Sequence, residues 1–302
     1  MTAIESSRVG FVGLGAMGMP MAQRIADAGF SLTVWNRDRS KAEKIRRPGI
    51  EVGDTPADVA RKSDIVLLSL LNSAAVEAVI LGPDGVAQGC SDGKARIIVD
   101  TSTTDPEVTR NIADRLANST AARLIDVPVS GGVPGAEKGT LILFAGGDAE
   151  SLDRARPVLA AFSRRLTHMG SVGAGQTTKI FNQMIVAVNV MTIAETVALA
   201  MRSGVDASKL APALEGGFAD SIPLQLFAPR MATGAFEPRQ TGLNLMAKDL
   251  GFAQALAESL DQPVPLVAAA LSRYRAVGER ADIADDADVS ALVRLYDQAP
   301  AD

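Results

Sequence analysis

Short apolar runs alternate with longer amphipathic stretches through the first half of the chain. The runs are Val9–Val12, Leu32–Trp35, Ile65–Leu70, Ile97–Val99, Leu124–Val127 and Leu141–Ala145. The stretches between the first four runs are long enough for crossover helices. This alternation predicts βαβ units and therefore an α/β fold with a doubly wound parallel sheet. No strand-sized apolar run follows Ala145, so the pattern predicts that the strands end there.

The second half of the chain has a helical pattern. A long apolar segment ends at Met201, and amphipathic segments follow at Met246–Leu260 and Val264–Val277. Clusters of glycine and proline separate these segments, as expected for loops between helices. The pattern predicts an α/β domain over residues 1–168 and an all-α domain over residues 169–302 with a long interdomain helix.

The apolar segment Met184–Met201 has the length of a membrane span. Asn189, Thr192 and Glu195 interrupt it, and a glutamate inside a bilayer is costly unless it has a function. We interpret the segment as a helix buried between domains or subunits. We therefore expect no membrane association, and a homo-oligomer, either a dimer or a tetramer, packed through this region.

Composition narrows the possible partners and location. The 302 residues include 47% hydrophobic and 22% charged residues, and the net charge is −5. Lys and Arg are scattered, so the chain offers no basic stripe for nucleic acid. Cys90 is the single cysteine, and no secretion signal is visible; both features favour the cytoplasm. No cluster of Cys, His, Asp and Glu has the spacing of metal ligands, so we predict no metal.

A glycine-rich loop indicates a dinucleotide site near the N-terminus. The sequence Gly13-x-Gly15-x-x-Gly18 follows the strand-like run VGFV and precedes a helix-like segment. In this motif the glycines give a tight turn, close approach to the pyrophosphate, and tight packing of helix on strand, and the helix N-terminus faces the phosphates. The predicted cofactor contacts are Gly13, Leu14, Gly15, Ala16, Met17 and Gly18.

The residues after the second predicted strand favour NADP over NAD. An NAD site usually places Asp or Glu there to bind the ribose 2′-hydroxyl. Here Trp35 is followed by Asn36 and Arg37, and an arginine can bind a 2′-phosphate with two hydrogen bonds. We therefore predict that Asn36 and Arg37 contact NADP. Asp38 lies nearby, but it could simply cap the helix that follows. The alternative interpretation is that Arg37 is a solvated surface charge.

Four further motifs accompany the glycine loop. Residues 11–22, FVGLGAMGMPMA, resemble the opening signature of the 3-hydroxyisobutyrate dehydrogenase family of β-hydroxyacid dehydrogenases. The other motifs that resemble this family, in the same order, are Asp100–Thr103, Asp126–Gly132, Gly173–Gln183 and Lys248–Leu250. The resemblance implies a Rossmann-type domain followed by a helical domain, with the active site between them.

Three features are similar to one branch of this family, the tartronate semialdehyde (2-hydroxy-3-oxopropionate) reductases. They are the pair Asn182-Gln183, the run IVAVN from Ile185, and GGFADS from Gly216. The 3-hydroxyisobutyrate dehydrogenases more often carry two asparagines where this chain has Asn182-Gln183. Substrates of the 3-hydroxyisobutyrate type and of the threonate-type sugar-acid dehydrogenases stay open as alternatives.

The family motif implies that Lys179 is the general acid and base. Lys179 lies early in the long predicted helix, with Gln183 one turn later on the same face and Asn182 adjacent. Desolvation near an apolar cleft lowers the pKa of a lysine toward the range useful for proton transfer. We therefore predict that Lys179, Gln183 and Asn182 take part in catalysis.

The loop Ser130-Gly131-Gly132 is the candidate substrate site. Glycines after a strand can direct consecutive N–H groups toward one point, which suits a carboxylate, and Ser130 adds a hydroxyl. The resemblance implies that this loop and Lys179 bind the substrate, with Ser130 also part of the catalytic set. Asp126 could act as a base, but we favour a structural role in which it holds the loop by hydrogen bonds.

The remaining candidates follow other strands or lie in the helical half. Leu70, Leu71 and Thr103 fall where strand ends face a cofactor in such sheets. Lys248 resembles a lysine that closes over the cofactor. His168 is the single histidine, and we interpret it as a packed or hydrogen-bonded residue at the domain junction.

These residues favour an NAD(P)-dependent oxidoreductase that interconverts a small 3-hydroxy acid and its semialdehyde. The substrate would bear a carboxylate. An imine reductase is the nearest rival, although it resembles this architecture with another residue at the lysine position. A decarboxylating phosphogluconate dehydrogenase would carry His-Asn where this chain has Asn182-Gln183. A non-enzymatic cofactor-binding sensor or scaffold is the alternative from another class.

Overall fold

The structure is a computed structural model that describes residues 7–92, 96–284 and 286–297. The chain divides into two compact units, Met1–Lys179 and Ile180–Asp302. The first contains a β-sheet with helices, and the described part of the second is helical. The division falls within a long helix that starts at Ala174, whose first turns make their contacts with the first unit.

Nine strands form one sheet in the described part of the first unit. They are β1 (Arg8–Val12), β2 (Ser31–Trp35), β3 (Ile50–Val52), β4 (Ile65–Leu68), β5 (Ile97–Asp100), β6 (Arg123–Asp126), β7 (Val129–Ser130), β8 (Leu141–Gly146) and β9 (Ser163–Gly170). The strands β3-β2-β1-β4-β5-β6 lie side by side and are parallel. This is the doubly wound order that binds dinucleotides at the carboxyl edge. β8 pairs antiparallel with β6 and β7 and parallel with β9.

All six predicted strands are present, but the prediction that strands end at Ala145 is wrong. β9 was missed because it is a largely exposed edge strand with the polar sequence SRRLTHMG, which lacks an apolar run. β3 and β7, with three and two residues, are too short for a periodic signal. The predicted all-parallel sheet is also only partly right, because β8 runs antiparallel to β6 and β7.

Helices cover both faces of the sheet. They are α1 (Gly18–Asp27), α2 (Arg39–Ile45), α3 (Pro56–Lys62), α4 (Ser73–Leu81), α5 (Val86–Asp92), α6 (Pro106–Ser119), α7 (Gly132–Lys138) and α8 (Ala149–Ala160). β4 shows why both faces need cover: Ile65 and Leu67 join one apolar core, and Val66 and Leu68 join the other. Strands buried on both faces read as continuous apolar runs, which is why the sequence located them.

The second unit has its own core. Its helices are the rest of α9 (Ala174–Ser203), then α10 (Leu210–Leu214), α11 (Ile222–Thr233), α12 (Leu243–Ser259) and α13 (Pro265–Gly278). Short 3-10 helices span Ala207–Lys209 and Val289–Tyr296. Tyr274 of α13 is 1% exposed, and its hydroxyl donates to the carbonyl of Ala187 in α9. The predicted segments Met246–Leu260 and Val264–Val277 are helices.

The predicted long apolar helix is α9, with 30 residues. By length and composition it is the one helix of the described residues that could cross a membrane, and 44% of its apolar window is buried. One face packs in the core through Ala187, Val190 and Ala194. The opposite face exposes Ile185 and Leu199, so a single chain does not bury the whole helix.

Candidate active site

The glycine loop joins β1 to α1, and at Gly13 and Gly18 the neighbouring backbone leaves no space for a side chain. Gly13 has a φ of 99°, and a Cβ on it would lie 2.3 Å from the carbonyl oxygen of Ser69. A Cβ on Gly18 would lie 1.9 Å from the carbonyl oxygen of Gly13. A Cβ on Gly15 would meet no atom within 4 Å. This open space beside the start of a helix fits a pyrophosphate, so the loop suits a dinucleotide.

Asn36 holds this loop in place. Its side-chain oxygen accepts from the N–H of Leu14 (2.9 Å), and its side-chain nitrogen donates to the carbonyl of Asp38 (2.9 Å). Asp38 caps α2 by accepting from the N–H of Ser40, as the sequence suggested. Arg37, the residue after Asn36, is exposed.

The other predicted cofactor contacts of the first unit follow neighbouring strands. Leu70 and Leu71 come after β4 and Thr103 comes after β5, and β4 lies between β1 and β5 in the sheet and pairs with both. The N–H of Leu70 donates to Ser102 Oγ (2.9 Å), which links the two loops. Because parallel strands end at one edge, these residues share the carboxyl edge of the sheet with the glycine loop.

The candidate substrate loop follows β6 at the same edge. Ser130 ends β7, and Gly131 and Gly132 are exposed with φ values of 130° and 61°. Residues other than glycine rarely adopt such conformations. Successive residues with positive φ can direct their N–H groups to a common side, which suits the predicted role in carboxylate binding.

Asp126, at the end of β6, binds the start of α9. Its Oδ1 accepts from the N–H of Gly173 and its Oδ2 from the N–H of Gln176, both at 2.8 Å. Burial raises the pKa of this carboxyl above its usual value, and the backbone hydrogen bonds partly offset that rise. These two hydrogen bonds of Asp126 therefore go to the start of the lysine-bearing helix, and not to its own loop as predicted.

The buried side chain of Gln176 ties the same helix to the loop after β5. Its nitrogen donates to the carbonyl of Ser102 (2.9 Å), and its oxygen accepts from the N–H of Thr104 (3.0 Å). Lys179 lies three residues farther along α9 and is 9% exposed. The first unit thus brings the start of the lysine-bearing helix to the strand ends that precede the substrate loop and Thr103.

His168 has the hydrogen-bonding role expected from the sequence. It lies in β9, and its Nε2 is 2.9 Å from the carbonyl oxygens of Gly147 and Gly170. Among the described residues, no group of three or more His, Cys, Asp and Glu side chains could hold a metal ion.

In the second unit one buried carboxylate joins the predicted polar residues. Asn182 donates to Gln183 Oε1 (2.9 Å), and Gln183 Nε2 donates to Asp249 Oδ2 (2.7 Å). Lys248 Nζ lies 3.3 Å from Asp249 Oδ1 and 5.4 Å from the ring centre of Phe252. Asp249 was not among the predicted site residues, although it lies in the motif Lys248–Leu250. A carboxylate within an apolar helix was the signal that could have singled it out.

Two known families cover nearly the whole chain. Residues 8–170 match the NAD binding domain of 6-phosphogluconate dehydrogenase, and residues 173–296 match the family described as NAD-binding of NADP-dependent 3-hydroxyisobutyrate dehydrogenase. The chain is 34% identical to the 2-hydroxy-3-oxopropionate reductase of Escherichia coli, over 96% of this chain and 97% of the relative. It is 32% identical to the NAD-dependent L-serine dehydrogenase of Pseudomonas aeruginosa, over 96% and 98%.

Solved structures show the same fold. A 3-hydroxyisobutyrate dehydrogenase of Mycobacterium tuberculosis, solved with L-serine, gives a TM-score of 0.84 at 28% identity and covers 97% of this chain and 100% of that chain. An imine reductase of Streptomyces aurantiacus gives 0.64 at 22% identity over 96% and 100%, a similarity of fold alone. The predicted fold class, the predicted enzyme class and the nicotinamide cofactor are thereby confirmed. The chain belongs to the 3-hydroxyisobutyrate dehydrogenase family of NAD(P)-dependent β-hydroxyacid dehydrogenases.

Proposed function

We propose that this β-hydroxyacid dehydrogenase interconverts a small 3-hydroxy acid and its semialdehyde, with Lys179 as general acid and base. The observation that carries the proposal is the buried Lys179 on a helix whose start is bonded to the end of β6. The same strand leads into the loop proposed to bind the carboxylate. A proton carrier and a carboxylate site are the two groups that this reaction requires besides the cofactor.

The cofactor would be held by the carboxyl edge of the sheet. The glycine loop would hold the pyrophosphate, and Leu70, Leu71, Thr103 and Lys248 remain proposed contacts. When bound, the nicotinamide dinucleotide supplies or accepts a hydride. We propose NADP as the preferred form, because β2 is followed by Asn36 and Arg37 instead of an acid, and Arg37 is exposed.

Lys179 would move the proton. In reduction its ammonium donates a proton to the carbonyl oxygen as negative charge develops there, and in oxidation the amine takes the hydroxyl proton. Ser130 and the N–H groups of Gly131 and Gly132 would hold the carboxylate. Gln183 and Asn182, on the same helix as Lys179, would orient the reacting oxygen. General acid–base catalysis of this kind contributes about 10²–10⁴-fold.

We favour tartronate semialdehyde and glycerate as the substrate pair. The support is the sequence Asn182-Gln183, the GGFADS segment, and the 34% identity to a relative named 2-hydroxy-3-oxopropionate reductase. Substrates of the 3-hydroxyisobutyrate type and of the threonate type are the alternatives within the same chemistry. Each carries a carboxylate that the Ser130 loop would recognise.

A cofactor-absorbance screen tests this proposal. Tartronate semialdehyde, glycerate, 3-hydroxyisobutyrate, L-serine and threonate would each be assayed with NAD(H) and NADP(H), and a cyclic imine would be added. We expect the highest kcat/KM with tartronate semialdehyde and NADPH. Reduction of the imine alone would identify an imine reductase. Cofactor binding without turnover of any compound would favour a sensor or scaffold.

A further inference from the structure

We propose that Asp126 is a positioning residue for Lys179: its carboxylate fixes the first turn of α9 and thereby sets where the lysine stands relative to the substrate loop. The inference rests on the proposed role of Lys179. It gives a function to a buried carboxylate that the chemistry itself does not use. It also explains why the strand that leads into the Ser130 loop ends in an acid.

The carboxylate acts as a cap supplied by another element. The first N–H groups of a helix have no partners within the helix, and Asp126 accepts two of the N–H groups at this end, from Gly173 and Gln176. The negative charge also faces the positive end of the helix dipole. Both interactions hold the helix start against the end of β6. Lys179 is three residues beyond Gln176, about 4.5 Å farther along the helix axis at 1.5 Å per residue.

Two glycines bring the backbone close enough for this cap. A Cβ on Gly175 would lie 2.5 Å from the carbonyl oxygen of Phe144 and 2.8 Å from Asp126 Oδ2. A Cβ on Gly146 would lie 2.5 Å from Asp126 Oδ1 and 2.8 Å from the nitrogen of Gly175. The backbone of α9 therefore lies directly on the ends of β6 and β8, with no space for a side chain between them.

A second tie fixes the rotation of the helix about its axis. The side chain of Gln176 is 0% exposed and bonds to the backbone of Ser102 and Thr104. One tie holds the helix to β6 and the other holds it to the loop after β5. Because misplacement of a catalytic group by about 1 Å can cost about 100-fold in rate, loss of the first tie would reduce turnover through Lys179.

Asp126→Asn tests the inference. The amide keeps one acceptor and turns an N–H₂ group toward the second N–H donor, so one of the two cap hydrogen bonds is lost without a change of size. We expect kcat to fall about 10–100-fold while the KM for NADPH changes less than about 3-fold. In the cofactor-free chain we expect faster amide hydrogen exchange in the peptide that covers Gly173–Lys179. The kinetics use the most active substrate of the screen, and the hydrogen-exchange measurement uses no substrate.

Asp148→Asn is the matched control. Asp148 caps α8 by accepting from the N–H of Ser151 (2.8 Å), and α8 carries none of the proposed site residues. This variant loses a helix cap in the same unit, so we expect lower stability with kcat within about 2-fold of the wild type. An equal loss of kcat in both variants would show that Asp126 matters only for general stability and would overturn the inference.

A double-mutant cycle separates this inference from the proposed function. If Asp126 acts through Lys179, Asp126→Asn should change turnover by less than about 3-fold in a Lys179→Ala background. The same fold-loss in both backgrounds would overturn the positioning role while leaving the role of Lys179 intact. Unchanged turnover in Lys179→Ala alone would instead refute the proposed function. If Asp126→Asn does not fold, Gln176→Met, which removes the second tie, enters the same cycle with the same criteria.

Discussion

At the scale of single residues, burial controls the chemistry of Asp100 at the end of β5. Its side chain is 1% exposed. Burial raises its pKa from 3.8 to about 6, the nearby charge of Asp126 adds to this rise, and hydrogen bonds from Ser102 and Thr104 oppose it. Between pH 4 and pH 6 the folded chain therefore holds a proton that the unfolded chain has released. The contribution of Asp100 to the unfolding free energy falls across this window as the pH rises.

Asp100→Asn should remove that pH dependence. A rise of this size in pKa corresponds to roughly 3 kcal/mol in total, and most of it develops between pH 4 and pH 6.5. The stability of the variant relative to the wild type should therefore increase by about 2 kcal/mol across this range. Urea unfolding at a series of pH values measures the difference. Curves that run parallel over the whole range would contradict the prediction.

Arg37 is the residue that should distinguish the two cofactors. Removing a charge-assisted contact with a 2′-phosphate costs about 1.5–3 kcal/mol, so Arg37→Ala should raise the KM for NADPH roughly 10–100-fold and leave the KM for NADH nearly unchanged. Arg46→Ala, another exposed arginine that pairs with Glu43, serves as the control. An equal change in both KM values would refute phosphate recognition by Arg37.

At the scale of elements, features encoded in consecutive residues could be predicted from the sequence, whereas contacts between distant segments could not. The glycine loop and the buried strands were predictable because their signals lie within a few consecutive residues. β9 was not, because an exposed edge strand needs no apolar run. The hydrogen bond between Gln183 and Asp249 joins residues 66 positions apart in the sequence, and the one between Gly173 and Asp126 joins residues 47 positions apart. Such pairs arise from the tertiary fold, and no spacing in one sequence specifies them.

The start of α9 should tolerate no added methyl group. In Gly175→Ala the new Cβ would clash with the carbonyl oxygens of Phe144 and Asp126, so we expect a loss of about 1–3 kcal/mol in unfolding free energy and a lower kcat. Gly251→Ala in α12 is the control, because its Cβ would meet no atom within 4 Å. That change should be neutral or stabilise the chain by up to about 1 kcal/mol. Equal stability of the two variants would contradict the close packing at Gly175.

At the scale of the whole molecule, the exposed face of α9 leads us to propose a homo-oligomer. Phe181, Ile185 and Leu199 are 49%, 73% and 69% exposed and recur at helical spacing along one face. Light scattering should show a dimer or tetramer, and Ile185→Asp should shift it toward the monomer. Leu260→Asp, at an exposed position just after α12, should leave the mass unchanged. A monomeric wild-type chain would refute this interface.

The proposed reaction relies on the buried amine of Lys179 as proton carrier, and single-turnover kinetics of Lys179→Ala test that role most directly. The measurement would follow oxidation of enzyme-bound NADPH, with enzyme in excess over NADPH and with the most active substrate of the screen at a saturating concentration. Lys209→Ala, which removes a lysine with 79% of its side chain exposed, is the matched control. We predict that Lys179→Ala lowers the rate by at least about 10²-fold, with NADPH binding nearly unchanged and the control at the wild-type rate. A rate within a few-fold of the wild type would show that Lys179 is not the proton carrier.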